Sequence, residues 1–101
     1  MQIQNSRADG LVRIQLNGSF DFSSHRDFKA ACDGAFGDAE ATGIEIDFSD
    51  VDYLDSSALG MLLLARERGA SNGRPVRLAN CRGMVADVLR IANFSKLFSI
   101  R

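Results

Sequence analysis

The sequence predicts an α/β fold: one domain with a mixed, mostly parallel sheet of four to five strands and helices mainly on one face. Three observations carry this expectation. Short segments of alternating apolar and polar residues take turns with segments whose apolar residues recur at helical spacing, the pattern of β-α-β units with right-handed crossovers. The first two alternating segments follow one another directly, which adds an antiparallel hairpin at one edge. In the middle alternating segment Ile44, Ile46 and Phe48 interleave with Glu45 and Asp47, so that strand offers one apolar face for helices to cover.

Residues 1–4 and 11–16 read as strands, the second with Val12, Ile14 and Leu16 opposite Arg13 and Gln15, and a turn around Ala8-Asp9-Gly10 joins them. A helix begins at Ser23 or Ser24, either of which suits an N-cap, and runs through Phe28, Ala31, Cys32, Ala35 and Phe36 to a stop near Gly37. Residues 43–48 form the next strand. Residues 56–70 form the second helix, with Leu59, Leu62 and Leu63 predicted on its buried side, and the segment from Gly69 to Gly73 ends it. Pro75 is compatible only with a strand edge or start, so the strand at 76–79 begins there. A third helix over 82–92 and a short strand over 97–100 complete the order β-β-α-β-α-β-α-β.

At 101 residues the chain holds one core, expected to span 1–101, and leaves no room for a catalytic domain beside a regulatory one. Hydrophobic residues at 46% and charged residues at 25% exclude disordered and fibrous classes. No run nears the ~18 apolar residues of a membrane span, and the opening MQIQNSRADG lacks a signal peptide's apolar region, so a cytoplasmic location without membrane partners is expected. Cys32 and Cys81 are read as reduced thiols, and the single His25 excludes most histidine-built metal and hydrolase sites. No nucleotide-binding glycine loop is present, and no cofactor is expected. Residues 1–65 carry 4 Lys+Arg against 11 Asp+Glu, whereas residues 66–101 carry 8 against 2. Either the two halves intermix in the fold or they make a dipolar surface that steers a partner. The basic residues form no dense run and aromatics are sparse, which disfavours nucleic acid.

The densest chemistry lies from Phe48 to Gly60, read as a strand end, an acidic loop and the Asp55-Ser56-Ser57 start of an apolar helix. Sites in open α/β sheets gather at such strand ends. Asp55 or Ser56 caps the helix, or a serine there accepts a phosphate, since backbone N–H groups and the helix dipole tolerate an anion at that end.

Asp55-Ser56-Ser57-Ala58-Leu59-Gly60 resembles the Asp-Ser-Ser-Gly-Leu-Gly motif of STAS domains, the anti-anti-sigma factor (anti-sigma factor antagonist) family of bacterial regulators. Gly18-Ser19-Phe20-Asp21 looks like that family's Gly-x-Leu-Asp, and Asn93-Phe94-Ser95-Lys96-Leu97-Phe98 is similar to its late Gly-Leu-Phe-type segment. The resemblance implies that Ser56 is phosphorylated by a serine kinase, often an anti-sigma factor, and dephosphorylated by a metal-dependent serine phosphatase. Asp21, Asp55 and Ser57 would flank it, and the unphosphorylated form would bind a partner regulator that the phosphorylated form releases. Ala58 replaces the family's usual glycine, and the sequence ends where many relatives continue into a further helix. The same domain type also occurs as an unmodified binding module in larger assemblies.

Other classes fit less well. Ser56 as a nucleophile with His25 as base lacks a Gly-x-Ser-x-Gly turn, so no catalytic activity is expected. Asp47, Asp50, Asp52 and Asp55 lack the glycine and terminal glutamate of a calcium loop, so no metal is expected. A receiver-like phospho-aspartate domain would want a lysine after the strand at 76–79, and none is there.

Overall fold

The computed structural model describes residues 1–100. Strands β1 (Gln2–Ala8) and β2 (Leu11–Phe20) form an antiparallel hairpin. Its turn falls at Asp9 and Gly10, with φ of 54° and 83°, and glycine meets no steric cost in that left-handed region. A 3-10 turn (Phe22–Ser24) leads into α1 (His25–Phe36), followed by β3 (Gly43–Leu54), α2 (Ser56–Asn72), β4 (Val76–Ala79), α3 (Gly83–Ile91), a second 3-10 turn (Phe94–Lys96) and β5 (Ser99–Ile100). The five strands lie in the order β1-β2-β3-β4-β5, with β2 to β5 parallel. Every parallel crossover steps in the same direction, and right-handed crossovers that do so place all their helices on one face.

That face is the core. Val12, Ile14, Leu16 and Phe20 of β2 and Ile44, Ile46 and Phe48 of β3 pack with Phe28 and Phe36 of α1, Leu62 of α2, and Val85 and Leu89 of α3. The buried line of α2 is Ala58, Met61, Leu62, Ala65 and Gly69. The expected line through Leu59, Leu62 and Leu63 is therefore rotated: Leu59 is half-buried and Leu63 is exposed. Small residues hold much of this line, and at Gly69 the returning chain leaves no room for a side chain. A Cβ added to Gly69 would lie 2.5 Å from the Arg74 carbonyl oxygen and 2.8 Å from Val76 Cγ2.

The segment after Phe48 is not a loop. Strand β3 continues to Leu54 beside β2, with register shifts between Gln15 and Asn17 and between Gly18 and Ser19. Each shift adds one residue to β3, and a bulge of that kind reverses the facing of the residues after it. Val51 and Leu54 thereby return to the core while Asp50, Asp52 and Tyr53 are exposed.

The helix-free face also departs from expectation, because Glu45 and Asp47 are buried. Arg13 and Arg77 stand in register with Glu45 on the two neighbouring strands. Arg13 Nε donates to Glu45 Oε2 at 2.9 Å and Arg77 Nε to Oε1 at 3.0 Å. Asp47 Oδ1 accepts from the Ser49 N–H at 2.9 Å and from Asn80 Nδ2 at 3.0 Å. Burial alone would raise the Asp47 pKa, yet these hydrogen bonds and nearby Arg13 hold it below the usual carboxylate range.

The two halves of the sequence are joined by bonds of the same kind. Besides Arg77, Arg68 bonds Asp33, Arg74 bonds the Ala41 and Phe36 carbonyls, and Arg82 bonds the Ser49 carbonyl. The basic half of the sequence is stitched to the acidic half, so the two intermix.

Glu45→Ala is expected to lower unfolding free energy by about 1.5–3 kcal/mol, measured by urea denaturation, because it removes charge-assisted bonds from a buried acceptor. Arg13→Ala should also destabilise, since it takes one of two arginine partners from a fully buried carboxylate. A second expectation concerns alkaline pH. Burial is the main cause that raises both thiols, Cys32 and Cys81, from an ordinary 9.0 to about 11. Both are free, so the unfolded chain loses these protons first. Their contribution is intact below pH 9 and falls as pH rises toward 11. Replacing both by Ala should flatten that part of the stability profile.

Candidate functional site

Strands β2 and β3 end side by side, with Phe20 opposite Leu54, so Asp21 and Asp55 follow as neighbours. Asp55 is extended, at φ −111° and ψ −178°, and is the N-cap of α2. Its Oδ1 accepts from the Ala58 N–H at 2.9 Å, and its Oδ2 accepts from the Phe22 N–H at 3.3 Å. Its own N–H donates to the Phe20 carbonyl at 3.2 Å. One residue thus joins the end of β2, the 3-10 turn and the first turn of α2.

Asp21 is the N-cap of that 3-10 turn. Its Oδ1 accepts from the Ser23 N–H at 3.0 Å and from the Ser23 hydroxyl, while the Asp21 N–H donates to Ser24 Oγ at 3.4 Å. Ser24 precedes α1 but makes no side-chain cap bond. Neither serine expected to cap α1 does so, because Asp21 organises the turn one step earlier.

Ser56 and Ser57 occupy the first two positions of α2, and both are exposed. No hydrogen bond to another described residue engages either hydroxyl. Asp55 satisfies the Ala58 N–H, which leaves the Ser56 and Ser57 N–H groups among the free donors of the first helical turn. A helix of 17 residues stands behind them, and its N-terminal partial charge favours an added anion. Ala58 is fully buried and helical, so alanine fits where the resembling motif has glycine.

The structure thus brings Asp21, Asp55, Ser56 and Ser57 to one end of the sheet. It adds two residues that the sequence did not single out, Phe22 at 73% exposure and Tyr53 at 46%, an aromatic on either side of the acidic cap. Phe22 follows the buried Phe20 by two positions, and the 3-10 turn sends it outward. His25 is exposed on α1, and no bond joins it to Ser56. Among the described residues no group of three or more His, Cys, Asp or Glu could hold a metal ion, and no helix is long and apolar enough to cross a membrane.

Comparison with known proteins agrees with this architecture. The family model described as "Mlab, STAS domain" matches residues 3–99, and the chain belongs to the STAS domain family. A STAS-domain containing protein of Pseudomonas aeruginosa is 42% identical over 94 residues, covering 92% of this chain and 91% of that one. A putative anti-sigma factor antagonist of Thermotoga maritima superposes with a TM-score of 0.86 at 21% identity, covering 97% of this chain and 84% of the other. The anti-sigma factor antagonist SpoIIAA in its unphosphorylated form gives 0.76 at 20% identity, covering 99% and 87%. The phosphorylated form of SpoIIAA, a Bacillus cell fate determinant, gives 0.74 at 19%, covering 99% and 91%.

Asp55→Ala removes the N-cap and the anchor of Phe22 together. It is expected to cost about 1–2 kcal/mol in chemical denaturation, whereas Ser57→Ala, which loses no protein hydrogen bond, should leave the midpoint nearly unchanged.

Proposed function

We propose that this protein is a phosphorylation-controlled switch of the anti-sigma factor antagonist type, without catalytic activity of its own, whose modified residue is Ser56. The observation that carries the proposal is the setting of Ser56: an exposed, unengaged hydroxyl on the first turn of α2, beside free backbone donors and behind a cap residue already committed to the fold. A kinase can reach this hydroxyl without unfolding anything. SpoIIAA, which shares the fold, has been solved in unphosphorylated and phosphorylated forms, and that precedent supports the reading.

The switch works through charge. Phosphate on Ser56 adds about −1.5 to −2 charges at neutral pH, close in sequence to the exposed Asp50 and Asp52 and the half-buried Asp55. The helix N-terminus offsets part of that charge within the domain. A partner packed on the α2 start must desolvate the dianion, and a loss of 1.4 kcal/mol already weakens binding about tenfold. The partners are a serine kinase, which on this account is itself an anti-sigma factor, a metal-dependent serine phosphatase and a downstream regulator; the site of action is the cytoplasm.

Two measurements test this. Intact-mass and peptide analysis of the protein from its own cells should find one phosphate, on Ser56. Ser56→Ala used as bait should retain a partner that Ser56→Asp loses or binds at least about tenfold more weakly. Phosphate on Ser57 alone would overturn the site assignment, and identical partners for the two baits would overturn the switch.

A further inference from the structure

Helices α1 and α2 leave a groove of about 210 Å³ between them, away from the Ser56 hydroxyl. Phe28 and Cys32 of α1 and Met61 and Ala65 of α2 line it and are buried, while Leu64 beside them is 61% exposed. The remaining lining is polar: His25 and the cationic Lys29 and Arg68. Lys29 and Arg68 converge on a single carboxylate, Asp33, at 3.2 and 2.6 Å, and Arg68 also lies over the Phe36 ring, 5.0 Å from its centroid. Two cations against one anion leave this cluster with one positive charge in excess.

Size and charge together narrow the occupant. An apolar cavity of about 150 Å³ takes up benzene, so this groove suits an unbranched chain of about six to eight carbons. We propose that the α1/α2 groove binds a free medium-chain carboxylate, its alkyl chain on Phe28, Cys32, Met61 and Ala65 and its head group at Lys29 and Arg68. The apolar surface supplies affinity through burial, and charge-assisted bonds to guanidinium and ammonium set the orientation.

The test is a titration of the isotope-labelled chain with octanoate, followed by its amide and methyl spectra. Saturable shifts should appear in residues 25–33 and 61–68. Butyrate, four methylenes shorter, should bind at least about tenfold more weakly. Lys29→Gln and Arg68→Gln should each weaken octanoate at least about fivefold while leaving resonances of the sheet in place; the two variants are independent, so one that perturbs folding does not remove the test. Shifts that grow linearly with octanoate, or that scatter over exposed apolar residues such as Ile91 and Leu97, would overturn the proposal. Equal affinity for neutral 1-octanol would overturn the head-group assignment. A dimer that covers the same resonances and disappears in Leu64→Glu would give the groove to a second copy of the chain and overturn the proposal as well.

Discussion

The carboxylate of Asp55 is the junction on which the candidate site depends. One oxygen closes the first turn of α2 and the other holds the turn that carries Asp21 and Phe22, while the backbone N–H is tied to the end of β2. Because these anchors tie Asp55 to β2, to the 3-10 turn and to α2, the position of Ser56 is set by its neighbour although its own hydroxyl makes no hydrogen bond. The arrangement separates two requirements that usually conflict, since the residue that stabilises the helix end is not the residue proposed to be modified.

Asp55 reaches this position because β3 carries two bulges. A regular strand would alternate strictly and would turn either Val51 or Leu54 to the outer face. The two extra residues return both to the core and leave Asp50, Asp52 and Tyr53 exposed. The strand that carries acidic groups to the surface is therefore held by the same apolar packing as the rest of the sheet. Charge added there acts on a rigid support, which favours control of binding by electrostatics and desolvation over control by a change of shape. The opposite face of the sheet is stabilised differently, by the ladder of Arg13, Glu45 and Arg77.

Element order and one-sided helix packing were legible in the sequence because they rest on local periodicity. Ile44, Ile46 and Phe48 announce a strand, and Phe28, Cys32 and Phe36 announce a helix face. The extent of β3 was not legible, since Val51 and Leu54 are three apart and bulges break the period of two. Nor was the burial of Glu45, which requires Arg13 and Arg77 to arrive in register from strands far away in sequence. The α2 face was misjudged because Ala58, Ala65 and Gly69 contribute closeness rather than bulk. At the site, residue type alone suggested Asp55 as a cap, and the Asp-Ser-Ser run drew attention to Ser56. The outward Phe22 depends on a 3-10 turn that the alternation of Phe20, Asp21 and Phe22 conceals.

The claim that phosphate changes charge while leaving the fold in place is tested most directly by comparing amide spectra of the unmodified chain and of chain carrying phosphoserine at position 56, introduced during synthesis. The account predicts perturbations confined to residues 20–24 and 52–60, with β4, α3 and the β1 edge unmoved. Perturbations spread through β4 and α3 would contradict it, and would mean that the switch works by rearranging the domain.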